Sequence, residues 1–65
     1  MNSVRSRAVI RKVLLEIEEV WVQFPSLRLG QILSNAANPR DIFYIEDDDL
    51  IQELKKFAER MKAKR

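Results

Sequence analysis

The chain contains no cysteine and no histidine, and it has one glycine and two prolines among 65 residues. Disulfide staples, thiol catalysis, zinc sites with Cys or His ligands and histidine acid–base chemistry are therefore excluded for this chain acting alone. No apolar run approaches the roughly 20 residues of a membrane span, since Val13, Leu14 and Leu15 are followed at once by Glu16. No signal-peptide core follows Arg5 and Arg7. We expect a cytoplasmic protein without cofactor, metal or membrane contact.

What is present is typical of one small helical domain. Apolar residues make up 46% of the chain and charged residues 34%, a composition richer in apolar groups than that of disordered chains. We expect a single domain over residues 1–65, with 1–3 and 62–65 frayed. A chain this short buries only about 60% of its unfolded surface. Self-association or docking on a partner is therefore the expected way to complete its core.

Apolar residues at helical spacing predict a long first helix from about residue 3 to residue 24. At roughly 100° per residue, the larger apolar side chains fall on one stripe. This main stripe consists of Ile10, Val13, Leu14, Ile17, Val20, Trp21 and Phe24. Pro25 ends the helix, because proline disfavours helical geometry at the residue before it.

A second stripe recurs every seven residues on another side of this helix: Ala8, Leu15 and Val22. A helix that faces one neighbour has no need of these apolar groups. Two interpretations follow. Either both later segments wrap the first helix within one chain, or the second stripe is an interface between subunits.

Ser26 is the predicted N-cap of a second, shorter helix that ends between Asn35 and Asn38. Gly30 lies inside this helix, where it could allow a neighbouring helix to approach closely. Residues 41–45 are β-prone. They are predicted to form an extended connector, with pairing to a second copy as a β-strand in an oligomer as the alternative.

The third helix is predicted to start at the acidic run, with Asp47 as N-cap and Asp48 and Asp49 in the first turn, where the helix dipole favours anions. Its apolar stripe consists of Leu50, Ile51, Leu54, Phe57, Ala58 and Met61. The expected fold is all-α, with three helices and one short connector.

Chemistry-bearing patterns are scarce. The consecutive acids lack the alternation and the glycine of a calcium loop, so capping explains them and no metal site is predicted. No phosphate-binding glycine loop or nucleophile elbow is present, and we do not expect an enzyme. A helix-turn-helix regulator is an alternative. In that case Asp47, Asp48 and Asp49 would stand where such proteins meet DNA, and their carboxylates would repel it.

A ligand site is a further alternative. Arg28, Asn35, Arg40 and Tyr44 flank the middle helix and the connector. Two guanidiniums, an amide and a phenol could hold an anionic ligand such as a nucleotide. The competing interpretation is that these arginines form surface ion pairs with Asp41 or Glu46, which contribute little to stability.

Two segments resemble a group of small, uncharacterised proteins of bacteria and their phages. Residues 27–36 read LRLGQILSNA and residues 41–50 read DIFYIEDDDL. The group carries LRLGQLL-x-NA and, after a variable loop, D-x-FYIEDDEL. The resemblance covers about half of the chain and brings no activity with it. It implies a bacterial or phage origin and a cytosolic protein.

The motif residues could form one surface, whether structural or used for binding. Arg28, Gly30, Gln31, Asn35, Tyr44 and Glu46 belong to it. Arg28 and Glu46 are the expected fixed ion pair, and Tyr44 the expected hydrogen-bond donor across the turn.

The sequence as a whole favours a small, non-enzymatic protein that works by protein–protein interaction as a homodimer with a protein partner. The candidate anchors are Leu15, Val22 and Trp21, with Trp21 alternatively a core residue. Nucleic-acid binding and anionic-ligand binding are the alternatives.

Overall fold

The structure, a computed structural model, describes residues 4–63 and consists of three α-helices over that range. Helix α1 is Arg7–Trp21, α2 is Leu29–Ala37 and α3 is Asp47–Ala63. The predicted all-α, three-helix fold is confirmed. The fraying expected at 1–3 and at 64–65 lies outside the described residues, whereas Lys62 and Ala63 belong to α3.

Helix α1 is shorter at both ends than predicted, since the expected range was from about residue 3 to residue 24. It begins after Ser6, whose side-chain oxygen accepts a hydrogen bond from the backbone N–H of Val9 at 3.2 Å. It ends at Trp21 rather than at Phe24. The backbone N–H of Phe24 donates to the carbonyl of Trp21, which is the tighter bonding pattern of a turn.

The turn after α1 places Phe24 in the core and delays the start of α2. The Phe24 ring meets the Phe57 ring edge-on, with centroids 5.9 Å apart and planes at 67°. The indole N–H of Trp21 donates to the carbonyl of Leu27 at 2.8 Å, and the Leu27 N–H donates to the carbonyl of Phe24. The chain thus remains in a turn through Leu27.

The predicted cap at Ser26 is wrong, because α2 starts three residues later, at Leu29. Arg28 is the N-cap residue, and its backbone N–H donates to the side-chain oxygen of Gln31 at 2.8 Å. An arginine side chain cannot accept a hydrogen bond, so this is the Gln half of a capping box. The end of α2 at Ala37 agrees with the prediction.

Residues 41–45 do not form the predicted extended connector. The Asp41 carboxylate accepts a hydrogen bond from the Phe43 N–H at 2.9 Å, and the Asp41 carbonyl accepts one from the Tyr44 N–H at 3.0 Å. Aspartate favours such turns because its short side chain bonds the backbone two residues ahead. That local bonding replaces the extended backbone that strand pairing would need. Residues 4–63 contain no strand.

Helix α3 starts at the acidic run, as predicted, but Asp47 is its first helical residue rather than its N-cap. The Glu46 carbonyl accepts the first helical bond from the Leu50 N–H at 2.9 Å. Asp47, Asp48 and Asp49 lie in the first turn, and Arg60 and Lys62 lie in the last. Both charge placements complement the helix dipole.

The hydrophobic core lies mainly between α2 and α3. Its buried side chains are Val20, Ile32, Ala36, Ile51, Leu54, Phe57 and Ala58. Helix α1 contributes one of them, Val20, while Val13 and Ile17 are partly buried against the cluster. The central helix is therefore α3, which packs against both α2 and α1.

Helices α1 and α3 run in the same general direction. Arg5, just before α1, forms an ion pair with Asp47 at the start of α3, and Lys55 pairs with Glu16 at 3.6 Å further along. The interpretation in which both later segments wrap α1 is wrong, because Ala8, Leu15 and Val22 are exposed. Helix α1 lies on the outside, with one side on the core and the rest exposed.

Gly30 does not mediate a close helix contact. It is exposed in the first turn of α2, and a Cβ atom built there would meet nothing within 4 Å. The predicted role of this glycine in helix packing is therefore wrong.

Candidate protein-interaction surface

Helix α1 presents the second stripe to solvent. The exposed fractions are 52% for Leu15 and 63% for Val22, and Ala8 is also exposed. The position of α1 on the edge of the molecule explains this, since the core takes up the opposite side of the helix. The second stripe is therefore apolar surface that the single chain leaves uncovered.

Two charged residues interrupt the second stripe at helical spacing, Arg11 between Ala8 and Leu15, and Glu18 between Leu15 and Val22. We call these five residues the outer face of α1. Lys12 and Glu19 flank it. Over residues 4–63, the side chains of Arg11, Lys12, Glu18 and Glu19 make no ion pair within 4.0 Å. Their charges are available to a partner.

Trp21 lies at the border between the core and the exposed side of α1. It is 36% exposed, and its indole N–H is held by the Leu27 carbonyl. A groove of about 440 Å³ opens beside it. The lining is almost entirely apolar: Leu14, Ile17, Glu18, Trp21, Val22, Pro25 and Leu29. The groove adjoins the outer face, because Glu18 and Val22 belong to both.

The turn between α2 and α3 exposes two aromatic rings, a feature that the sequence analysis missed. Phe43 is 80% exposed and Tyr44 is 77% exposed, and their rings meet edge-on at 4.9 Å. The β-prone composition drew the prediction toward a packed connector. The available signal was Asp41, which bends the backbone and turns the following side chains outward.

The turn that carries Phe43 and Tyr44, which we call the aromatic turn, borders a cleft of about 770 Å³. This cleft lies between the start of α3 and the N-terminal half of α1. Ile10, Leu14 and Ile42 supply apolar lining, and Arg5 and Glu46 supply charge. Since Leu14 also lines the Trp21 groove, apolar surface continues along α1 from the aromatic turn to the start of α2.

The residues predicted for an anionic-ligand site are not brought together. Arg40 is held by acids of α3, Asp49 and Glu53, each at 3.4 Å. The expected ion pair between Arg28 and Glu46 is absent from the described part of the chain. Arginine at position 40 does form surface ion pairs, but with partners other than the predicted Asp41 and Glu46.

The remaining motif residues serve local structure or point to solvent. Gln31 caps the backbone of Arg28, and Asn35 is exposed on α2. Tyr44 is an exposed ring, and the hydrogen bond across the turn is donated by its backbone rather than by its phenol. Glu46 lies with Tyr44 at the cleft beside the aromatic turn.

The whole molecule exposes more surface than its mass predicts. A folded chain of 7.7 kDa is expected to expose about 4,300 Å², whereas this one exposes 5398 Å². The difference is similar to the roughly 800 Å² that each partner buries in a standard interface. The radius of gyration, 12.2 Å, also exceeds the roughly 10.7 Å expected for this length.

Two further features of the described residues bear on the kind of site. Residues 4–63 hold no group of three or more carboxylates placed to bind one metal ion. Over the same range no helix combines the length and the apolar character needed to cross a membrane.

Comparison of the chain with protein-family models, with curated proteins and with solved structures finds no match.

Proposed function

We propose that this chain is a cytoplasmic, non-enzymatic protein that acts by protein–protein interaction, as a homodimer that presents further apolar surface to a protein partner. The observation that carries the proposal is the outer face of α1, where Leu15 and Val22 are more than half exposed beside an apolar groove. Monomeric proteins seldom leave such contiguous apolar surface open.

The energetics support self-association of modest strength. Full burial of a Leu or Val side chain contributes about 1.5–3 kcal/mol, so covering the exposed halves of Leu15 and Val22 contributes roughly 1 kcal/mol each. Association costs at least about 4 kcal/mol. Two copies of each side chain meet that cost, and the flanking Leu14 and Trp21 add to the gain.

The surface chemistry weighs against the two alternatives. Arg40 is already engaged by Asp49 and Glu53, which removes a main cation of the anionic-ligand site. The first turn of α3 carries three aspartates, of which Asp48 and Asp49 are exposed. Carboxylates in that position oppose the approach of DNA phosphates.

Multi-angle light scattering on Leu15→Glu and Val22→Glu tests self-association. A buried charge on each copy opposes dimer formation, so both variants should have the mass of one chain where the wild type has twice that mass. Ser34→Glu is the matched control, because Ser34 is exposed on α2, which packs on α3. Unchanged masses for both α1 variants would contradict the proposal.

The aromatic turn is the surface proposed for the protein partner. Phe43 and Tyr44 lie outside the outer face of α1 and stay available in a dimer built on that face. Affinity capture with Phe43→Glu, compared with wild type, should lose a specific partner while the mass of the dimer stays the same. A partner retained by Phe43→Glu at wild-type yield would place the binding surface elsewhere.

A further inference from the structure

The outer face of α1 has the spacing of a helix–helix seam. Ala8, Arg11, Leu15, Glu18 and Val22 follow one another at intervals of three and four residues. Alternating intervals of this kind keep one set of side chains facing a second helix, as in coiled coils. The apolar members of the set lie at the ends and the middle, and the charged members lie between them.

The charges on this face are segregated along the helix axis. With a rise of 1.5 Å per residue, Arg11 lies about 6 Å before Leu15 and Glu18 lies about 4.5 Å after it. Lys12 and Glu19, which flank the face, have the same order of charge along the helix, with the basic residue first and the acidic residue second. The N-terminal half of the face is therefore basic and the C-terminal half acidic.

This segregation decides between the two ways of pairing two copies. In a parallel pair, Arg11 would face Arg11 and Glu18 would face Glu18, which is repulsive. In an antiparallel pair centred near Leu15, a two-fold axis brings Arg11 of each copy beside Glu18 of the other. The same axis brings Lys12 beside Glu19, and all four residues lack an ion pair within their own chain over residues 4–63.

We infer that two copies of the chain pair through the outer faces of α1 in antiparallel orientation, with reciprocal ion pairs between Arg11 and Glu18. This inference rests on the proposed self-association and adds its orientation and its specificity. A two-fold axis makes the interface self-complementary, which is the usual arrangement in homodimers. Polar residues within a seam of paired helices fix the register and orientation of the pair at a cost in stability.

Disulfide cross-linking tests the orientation directly, because the chain has no cysteine of its own. Leu15→Cys lies near the proposed axis and should cross-link in either orientation. Ala8→Cys and Val22→Cys lie about 10 Å on opposite sides of it. Mixed together, these two variants should form a disulfide between them, whereas Ala8→Cys alone should form none, since its two copies lie about 20 Å apart and disulfides need Cβ atoms within about 4.5 Å.

Charge exchange tests the ion pairs. Arg11→Glu should weaken the antiparallel dimer about tenfold or more, because a glutamate then faces Glu18. Glu18→Arg should do the same, and the double variant Arg11→Glu with Glu18→Arg should restore the wild-type dissociation constant. In a parallel dimer, Arg11→Glu alone would only exchange one like-charged pair for another and leave the constant unchanged.

The outcomes of these experiments distinguish the antiparallel orientation from self-association as such. A monomeric wild type with no Leu15→Cys cross-link would overturn both. A dimer in which Ala8→Cys cross-links to itself, and not to Val22→Cys, would overturn the antiparallel orientation and leave self-association standing.

Discussion

At the scale of single residues, the polar side chains beside the turns determine where the helices begin. Gln31 accepts the hydrogen bond of the Arg28 N–H and Ser6 accepts that of Val9. These bonds satisfy backbone donors that have no partner inside a helix. Neither cap was predicted from the sequence, since the first helix was expected to begin at about residue 3 and Ser26 was the expected cap of the second.

Gln31→Ala should lower the free energy of unfolding by about 0.5–1 kcal/mol, since the Arg28 N–H loses its acceptor. For a domain of this size, that corresponds to a fall of several degrees in melting temperature. Circular dichroism at fixed protein concentration measures it. Gln52→Ala is the control, because Gln52 is exposed on α3 and its removal should leave the melting temperature within a few degrees. Equal shifts for both variants would show that the Gln31 bond is not formed in solution.

Gly30→Ala should stabilise the protein by up to about 1 kcal/mol. Alanine has the higher helix propensity and restricts the unfolded chain, and a Cβ atom at this position meets no neighbour. Urea unfolding followed by circular dichroism would give a higher midpoint with an unchanged slope. A lower midpoint would mean that the backbone at Gly30 has a closer neighbour in solution, such as a second molecule.

At the scale of whole helices, the sequence predicts which segments are helical better than it predicts which helix is central. Both α1 and α3 carry apolar stripes, and periodicity alone does not rank them. The structure places Leu54 and Phe57 of α3 in the core and leaves Leu14 and Leu15 of α1 more than half exposed. The ranking depends on how the two turns direct the chain, through Trp21, Phe24 and Asp41, and such tertiary contacts are not written in local patterns.

The candidate surface was predictable from the sequence only in part: the apolar stripe on α1 was, and the exposed aromatic rings were not. A seven-residue recurrence on α1 marks Ala8, Leu15 and Val22 as surplus to one packing face. The exposure of Phe43 and Tyr44 was not predictable from their composition, since aromatic residues usually pack inward. It follows from the Asp41 turn, which competes with an extended backbone.

The same substitution in two helices should have opposite consequences. Leu54→Ala removes a fully buried side chain of α3 and should cost about 2–5 kcal/mol, a large share of the stability of so small a domain. Leu15→Ala should cost the folded monomer little and should weaken self-association. Thermal melts at low protein concentration compare the two for stability, and light scattering compares them for mass. A large loss of stability for Leu15→Ala in the monomer would show that α1 is more buried in solution.

At the scale of the whole molecule, folding and association are linked. A chain that leaves Leu15, Val22 and Phe43 more than half exposed has apolar surface still to bury. A second copy that binds the folded state and not the unfolded chain shifts the unfolding equilibrium by mass action. Stability is then a property of the concentration as well as of the sequence.

The melting temperature should therefore rise with protein concentration. Melts across about two decades of protein concentration around the dissociation constant should show the rise. Leu15→Glu should melt at one temperature throughout, because it is monomeric at every concentration. A wild-type melting temperature that is independent of concentration would contradict the claim that association stabilises the folded chain.

Coverage of the outer face of α1 by another copy of the chain is the central claim. Sedimentation equilibrium of the wild-type protein between about 1 and 100 µM measures this directly. The account predicts a mass that rises with concentration from 7.7 kDa toward twice that value, and a mass that stays at one chain for Leu15→Glu. A wild type that remains at 7.7 kDa over the whole range would contradict it.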